Sequence, residues 1–245
     1  MMRLARVEVV RFLLCSMLLL LPLASPAEQR PPLADAVAKT YGVASWDEIE
    51  GIRYTFNLDF PLGKVSRSWE WNPKTNTVTF EGKDKQGKPL KATYQRSKLD
   101  NESDVIKKEI DPSFLNDQYW LIFPFHMVWD GGLTVTDDGM QKVPSGQGSA
   151  RRLVVKYNPS GGGYTPGDTW NLFIGKDNRI SHLLFEHGGT AKPHIVIATW
   201  AGYKKAGPLL FSTDHRGTAD GGALHLTFTS VSVKLAGSDK WIDAQ

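Results

Sequence analysis

The sequence predicts a mainly β protein of the α+β class, built as a single large, curved antiparallel sheet with two or three helices covering one face. Three observations predict it. About ten segments carry apolar residues at every second position, the signature of strands with one buried face. Short connections rich in Gly, Asn and Asp separate them, as hairpins require. Helical spacing occurs at the start and middle of the chain, so the helices are few and pack on the sheet.

The N-terminus reads as a secretory signal peptide over residues 1–27. Arg3, Arg6 and Arg11 form a basic region, "FLLCSMLLLLPL" an apolar one, and "ASPA" a small-residue cleavage site ending at Ala27. The apolar run is about a dozen residues, short of the roughly 20 needed for a stable transmembrane span. Cleavage removes Cys15, the only cysteine, and with it disulfides, thiolate metal sites and a cysteine nucleophile. It also removes three arginines and one glutamate, lowering the formal charge from +3 to +1. The remaining lysines are interspersed with acids, as in "EGKDKQGKPLK", and form no nucleic-acid stripe. No long linker or internal repeat divides residues 28–245, which read as one domain.

Leu33, Ala36, Val37 and Thr40 give the first helix, with Gly42 after it. Ser45 and Glu48 suggest a capping box for a second short turn ending at Gly51. In "IRYTFNLDF" the residues Ile52, Tyr54, Phe56, Leu58 and Phe60 then alternate strictly. "KVSRSWEWN" repeats the pattern with Val65, Trp69 and Trp71, and Arg67 interrupts the apolar face. "NTVTFEG" and "PLKATYQRS" complete a four-strand meander.

The central helix begins at "DPSFLNDQYWLIFPF", with Asp111 as N-cap and Pro112 in the first turn. Pro124 is predicted to end it at Phe123. Strands resume with "GSARRLVVKYN", "TWNLFIG", "RISHLLFEHG", "HIVIATWAGYKK", "PLLFSTDHRG" and "LHLTFTSVSVKL". The glycine-rich loop "GGGYTPGD" precedes a strand, not a helix, so it lacks the architecture of a phosphate cradle. "TPGD" suits a type II turn with Gly167 at positive φ, and Asp168 bonds nearby backbone.

His182, Glu186, His187 and His194 match no metal motif and read as polar residues of an edge strand. No serine-nucleophile elbow occurs. The acids concentrate in turns such as "TDDG", "GKDN" and "TADGG". No catalytic residue, metal site or cofactor is assigned. The aromatics Tyr54, Phe56, Trp69, Trp71, Tyr119, Trp120 and Phe123 face inward, and a curved sheet under few helices leaves room for an apolar cavity.

The blocks "NDQYWLIFPFHMVWDGG" and "LVVKYNPSGGGYTPGDTWNLFIGKDNRISHLLFEHGG", with Trp200 and "LLFSTDH", resemble an uncharacterised family of bacterial exported proteins. Its marks are a D-x-Y-W-L-x-x-P segment and a T-P-G-D turn, and the resemblance covers about residues 45–235. That family is similar to the lipoprotein-carrier fold of the LolA/LolB and RseB type, a half-barrel with helices on its concave side. The resemblance implies that Tyr54, Phe56, Trp69, Trp71, Trp120 and Phe123 line a lipid cavity. The expectation is a periplasmic or secreted, non-enzymatic protein that binds a lipid, an acyl chain or another apolar small molecule. Envelope proteins are further partners; nucleic acid and a stable membrane span are not expected. Two readings stand beside it: an envelope protein–protein interaction or structural module with a filled core, and a hydrolase with an unrecognised site.

Overall fold

The computed structural model describes residues 30–161, 163–189 and 191–245, so the expected signal peptide lies outside the described residues. Helix α1 (Pro32–Tyr41) buries Ala34, Val37, Ala38 and Tyr41, a stripe displaced by one residue from the predicted face except at Val37. It ends at Gly42, whose φ of +96° and close approach to Pro208 both require glycine; a Cβ there would lie 2.4 Å from the Pro208 carbonyl oxygen. The predicted capping box does not form. Val43–Glu48 is a single 3₁₀ segment entered from Gly42 without a side-chain cap, and Gly51 lies inside the first strand.

Thirteen strands follow among the described residues, in place of about ten. The meander is β1 (Ile49–Phe60), β2 (Gly63–Asn72), β3 (Thr77–Lys83) and β4 (Pro89–Gln95). After the central helix come β5 (Leu133–Lys142), β6 (Ser149–Tyr157), β7 (Thr169–Ile174) and β8 (Ile180–Glu186). The last are β9 (Ile195–Thr199), β10 (Ala201–Ala206), β11 (Leu209–Ala219), β12 (Gly222–Leu235) and β13 (Trp241–Asp243). The sequence reading missed β5 and β13 and merged β9 with β10, which part at Trp200. "TDDG" is not a turn: it lies inside β5 at a register shift between Asp137 and Met140, with Gly139 at positive φ.

The strands form one open antiparallel sheet in the order β4-β3-β2-β1-β12-β11-β9-β8-β7-β6-β5, with β10 and β13 pairing β11 and β12. Strand β12, late in the chain, therefore joins the two halves by pairing with β1, from Ile49 opposite Leu235 to Asp59 opposite His225. The strand β8 lies between β7 and β9 in the sheet interior, which corrects its reading as an edge.

Helix α2 (Asp111–Trp129) explains the curvature. Asp117 bonds Arg67 of β2, and the Tyr119 ring lies 6.3 Å from Tyr157 of β6. On a flat sheet β2 and β6, seven places apart, would be separated by about 33 Å. Side chains two residues apart on one helix reach both strands only because the sheet wraps around it. The helix is apolar on nearly all sides, as a core helix must be.

Both predicted ends of this helix are corrected. A π-helical segment, Ile106–Ile110, leads into it, so Asp111 is already helical and caps nothing. Its buried carboxylate instead accepts from Arg96 Nε at 2.6 Å and from the Tyr94 hydroxyl at 3.0 Å. The helix also runs through Pro124 to Trp129, with a break at Ile122 (φ −123°, ψ 25°). Burial of Phe123, Phe125 and Met127 holds the second half in place and outweighs the hydrogen bond lost at the proline.

Candidate functional site

A cavity of about 460 Å³ lies between the first half of α2, the β6–β7 loop and the strands β7 and β8. Its apolar wall comprises Leu115, Tyr119 and Trp120 from the helix, Trp170 from β7 and Phe185 from β8. The rings brace one another. Trp170 stacks on Phe123 at 4.0 Å and lies 4.6 Å from Phe185 and 5.3 Å from Trp120. Alternation along "TWNLFI" sends Trp170 inward, and "ISHLLFE" places Phe185 opposite it in register.

The polar rim is built by the loop. Asp168 N–H bonds the Thr165 carbonyl at 3.1 Å and Gly167 has φ +82°, which is the predicted type II turn. The Asp168 side chain, however, reaches beyond its own turn. Its Oδ1 accepts from the Gly188 backbone N–H at 2.7 Å and lies 3.0 Å from His187 Nδ1, so it clamps the β6–β7 loop to the segment after β8. Burial raises the Asp168 carboxyl above its ordinary value, against the lowering influence of Gly188 and His187. On the other side Tyr164 lies over the Arg96 guanidinium at 5.0 Å.

Tyr119 is fixed from below. Its hydroxyl donates to Asp130 Oδ2 at 2.6 Å, Tyr157 donates to the same oxygen at 2.9 Å, and His126 Nδ1 meets Asp130 Oδ1 at 3.0 Å. Burial pushes the Asp130 carboxyl up, but the contacts from His126, Tyr119 and Tyr157 outweigh it and leave it below the ordinary range.

The six sequence-predicted ligand residues divide by position. Trp120 lines this cavity and Phe123 stands directly behind Trp170. Tyr54, Phe56, Trp69 and Trp71 lie on β1 and β2, buried ring against ring with Phe80, Phe114 and Phe228. Sequence reading missed Leu115, Trp170 and Phe185 as cavity residues; helical spacing in α2 was the signal for the first, and the alternation in β7 and β8 for the other two. A larger groove of about 700 Å³ runs along β2–β4 and is lined partly by Lys64, Lys83, Lys85 and Lys108. The histidines of the β8 region disperse: His187 goes to Asp168, His194 to Asp220, and His182 to Ser181. Among the described residues no group of three His, Asp or Glu side chains is placed to hold a metal. None of the described helices is long and apolar enough to cross a membrane.

An open antiparallel sheet wound around a buried helix, with an aromatic cavity on its inner side, defines the half-barrel class. Solved structures similar to the chain include a DUF1329 family protein from Desulfovibrio piger, at 10% identity over 86% of this chain and 96% of that one, with a TM-score of 0.45. A putative outer membrane lipoprotein-sorting protein domain from Vibrio parahaemolyticus shares 9% identity over 83% and 93% of the two chains, with a TM-score of 0.44. The lipoprotein LppX from Mycobacterium tuberculosis shares 9% identity over 83% and 96%, with a TM-score of 0.31. No family model matches the sequence, and no curated protein matches it.

Proposed function

We propose that this is an exported, non-enzymatic protein, periplasmic or secreted, whose residues 28–245 form one half-barrel domain that holds a lipid, an acyl chain or another apolar ligand. The observation that supports this reading is the cavity of about 460 Å³ walled by Leu115, Tyr119, Trp120, Trp170 and Phe185. Its size falls within the usual range for small-molecule sites, and its apolar wall with a few polar rim groups matches their usual composition. Trp120 contacts the ligand in this reading, Phe123 holds Trp170 upright, and Tyr54, Phe56, Trp69 and Trp71 form the aromatic floor farther along the concave face. No metal, cofactor or catalytic side chain takes part.

The test is uptake of a fluorescent fatty acid by protein stripped of lipid, together with native mass spectrometry of protein purified from its host. One bound equivalent and quenching of tryptophan emission are expected. A clean apo mass with no uptake would sink the proposal. The tight ring packing over β1–β3 favours a second reading, an envelope interaction or structural module, and that outcome would promote it.

A further inference from the structure

The groove of about 700 Å³ along β2–β4 stands apart from the aromatic cavity and has a chemistry of its own. Its floor comes from inward positions of the meander: Val65 on β2, Phe80 on β3 and Leu90 on β4. Phe80 folds back over Gly82, the next inward position of its strand, where a Cβ would lie 2.6 Å from Phe80 Cζ. Strand β3 thus offers a ring where a second inward side chain would stand in the groove. The opposite wall is the segment leading into α2, with Val105, Ile110 and Pro112. Val105 is 41% exposed, and the ion pair of Lys85 with Glu109 at 3.0 Å joins the two walls.

Five cations line this groove, Lys64, Arg67, Lys83, Lys85 and Lys108, against two acids, Asp84 and Glu109. Both acids are engaged. Asp84 Oδ1 accepts from the backbone N–H groups of Gln86 and Lys88 at 2.9 and 2.8 Å, and Glu109 holds Lys85. Lys64 and Lys108 meet Asp59 and Asp104, which lie outside the lining, in exposed pairs of the kind that hold weakly. Lys83 has no carboxylate partner among the described residues. Arg67 spends two of its five N–H donors on Asp117, and its side chain keeps 22% exposure where it lines the groove.

We propose that this groove is a second ligand site, for a single-chain amphiphile with an anionic head. The chain lies on Val65, Phe80, Leu90 and Val105, and the head meets Lys83, the neighbouring lysines and the remaining donors of Arg67. Lysines supply point charges and arginine a fork of donors, the combination that suits a phosphate. A neutral chain would leave the excess of positive charge unanswered, and a bare ion would leave the apolar floor uncovered. The volume is that of a small-molecule site, whereas a protein partner needs a face of about 800 Å². The site does not depend on the apolar-ligand reading of the aromatic cavity. Only Pro112 and Asn116, about one turn apart on α2, line both spaces.

The experiment titrates protein stripped of lipid with dodecyl phosphate, 1-dodecanol and inorganic phosphate at pH 7, following backbone amides in ¹H–¹⁵N spectra. Dodecyl phosphate is expected to shift the Gly87 and Val105 amides. Its affinity there should fall about tenfold between roughly 0.05 M and 0.5 M salt. Lys83→Glu, at an exposed position, weakens that binding by about tenfold and leaves the effect of 1-dodecanol on the Gly188 amide, beside the aromatic cavity, unchanged. If 1-dodecanol shifts Gly87 and Val105 as tightly, charge plays no part; if inorganic phosphate does, the chain plays none. Either result overturns the proposal, as does an unchanged affinity in Lys83→Glu. Shifts from dodecyl phosphate confined to Gly188 would leave a single site and overturn it as well. Failure of 1-dodecanol to move Gly188 counts against the apolar-ligand reading alone and leaves this site standing.

Discussion

Arg67 of β2 grips Asp117 of α2 in a two-pronged pair, Nε to Oδ2 at 2.7 Å and Nη2 to Oδ1 at 2.6 Å. Asp117 is fully buried and also accepts from Trp69 Nε1 at 2.9 Å and Asn116 Nδ2 at 3.1 Å. Burial raises its carboxyl above the ordinary value even against these donors. The guanidinium lies over the Phe56 ring at 4.9 Å, so the charge rests on the apolar face that it interrupts. This pair ties the meander to the helix that carries Tyr119 and Trp120.

Removing one partner strands the other in the core. Arg67→Met should cost about 3–5 kcal/mol, because Asp117 then keeps a buried charge without its counterion. Arg67→Met combined with Asp117→Leu should be less destabilised than Arg67→Met alone. Urea unfolding of the two single variants and the double variant measures this; a single-variant loss below about 1 kcal/mol, the range of surface pairs, would refute it.

Asp168 makes a different kind of prediction, because its essential partner is a backbone N–H. Asp168→Ala should lose about 2 kcal/mol by leaving the Gly188 N–H unpaired. Asp168→Asn should lose under about 1 kcal/mol, since the amide oxygen still accepts that bond. Thermal unfolding of both variants separates the two cases. Equal losses would show that charge, not the acceptor, holds the loop.

How far the sequence spoke depends on the distance between cause and effect along the chain. The alternation of Ile52, Tyr54 and Phe56 is local, and all three are buried on one side of β1 as expected. The turn at Gly167 is likewise written in four residues. Arg67 looked like a flaw in its strand because its partner is 50 residues away. Pro124 was read as a stop because local rules omit the packing that carries α2 past it. The strand β5 was hidden by the bulge at Asp137, where turn-forming residues sit within a sheet. The cavity combined the worst of these conditions. Its walls come from a helix, a loop and two strands; of these residues only Trp120 was read as a ligand contact, with Tyr119 noted among the inward aromatics.

The clamp between loops leaves no room for side chains. A Cβ on Gly188 would lie 2.2 Å from the Gly167 carbonyl carbon and 2.3 Å from its oxygen, both backbone atoms that cannot rotate away. Gly188→Ala should therefore part the two loops at a cost of about 3 kcal/mol. Hydrogen exchange at Asp168 and Gly188 should rise in step. Unchanged exchange at both amides would show that the loops absorb the methyl without separating.

His215 gives the fold a defined acid sensitivity. It is fully buried beside Trp120, Trp200 and Phe228, with Asp214 and His225 as its charged or titratable neighbours. Burial lowers its pKa from 6.5 to about 4. Between these values the unfolded chain binds a proton that the folded chain refuses, so stability rises with pH across that window. The contribution is complete above pH 6.5 and is lost as pH falls through the window toward 4. It amounts to about 3 kcal/mol. Urea unfolding at pH 7, 5.5 and 4 should show the wild type losing that much relative to His215→Phe, which cannot protonate. Comparing the two proteins at each pH cancels the titration of the surface carboxylates. Parallel curves would mean that His215 is reached by solvent or charged in the folded state.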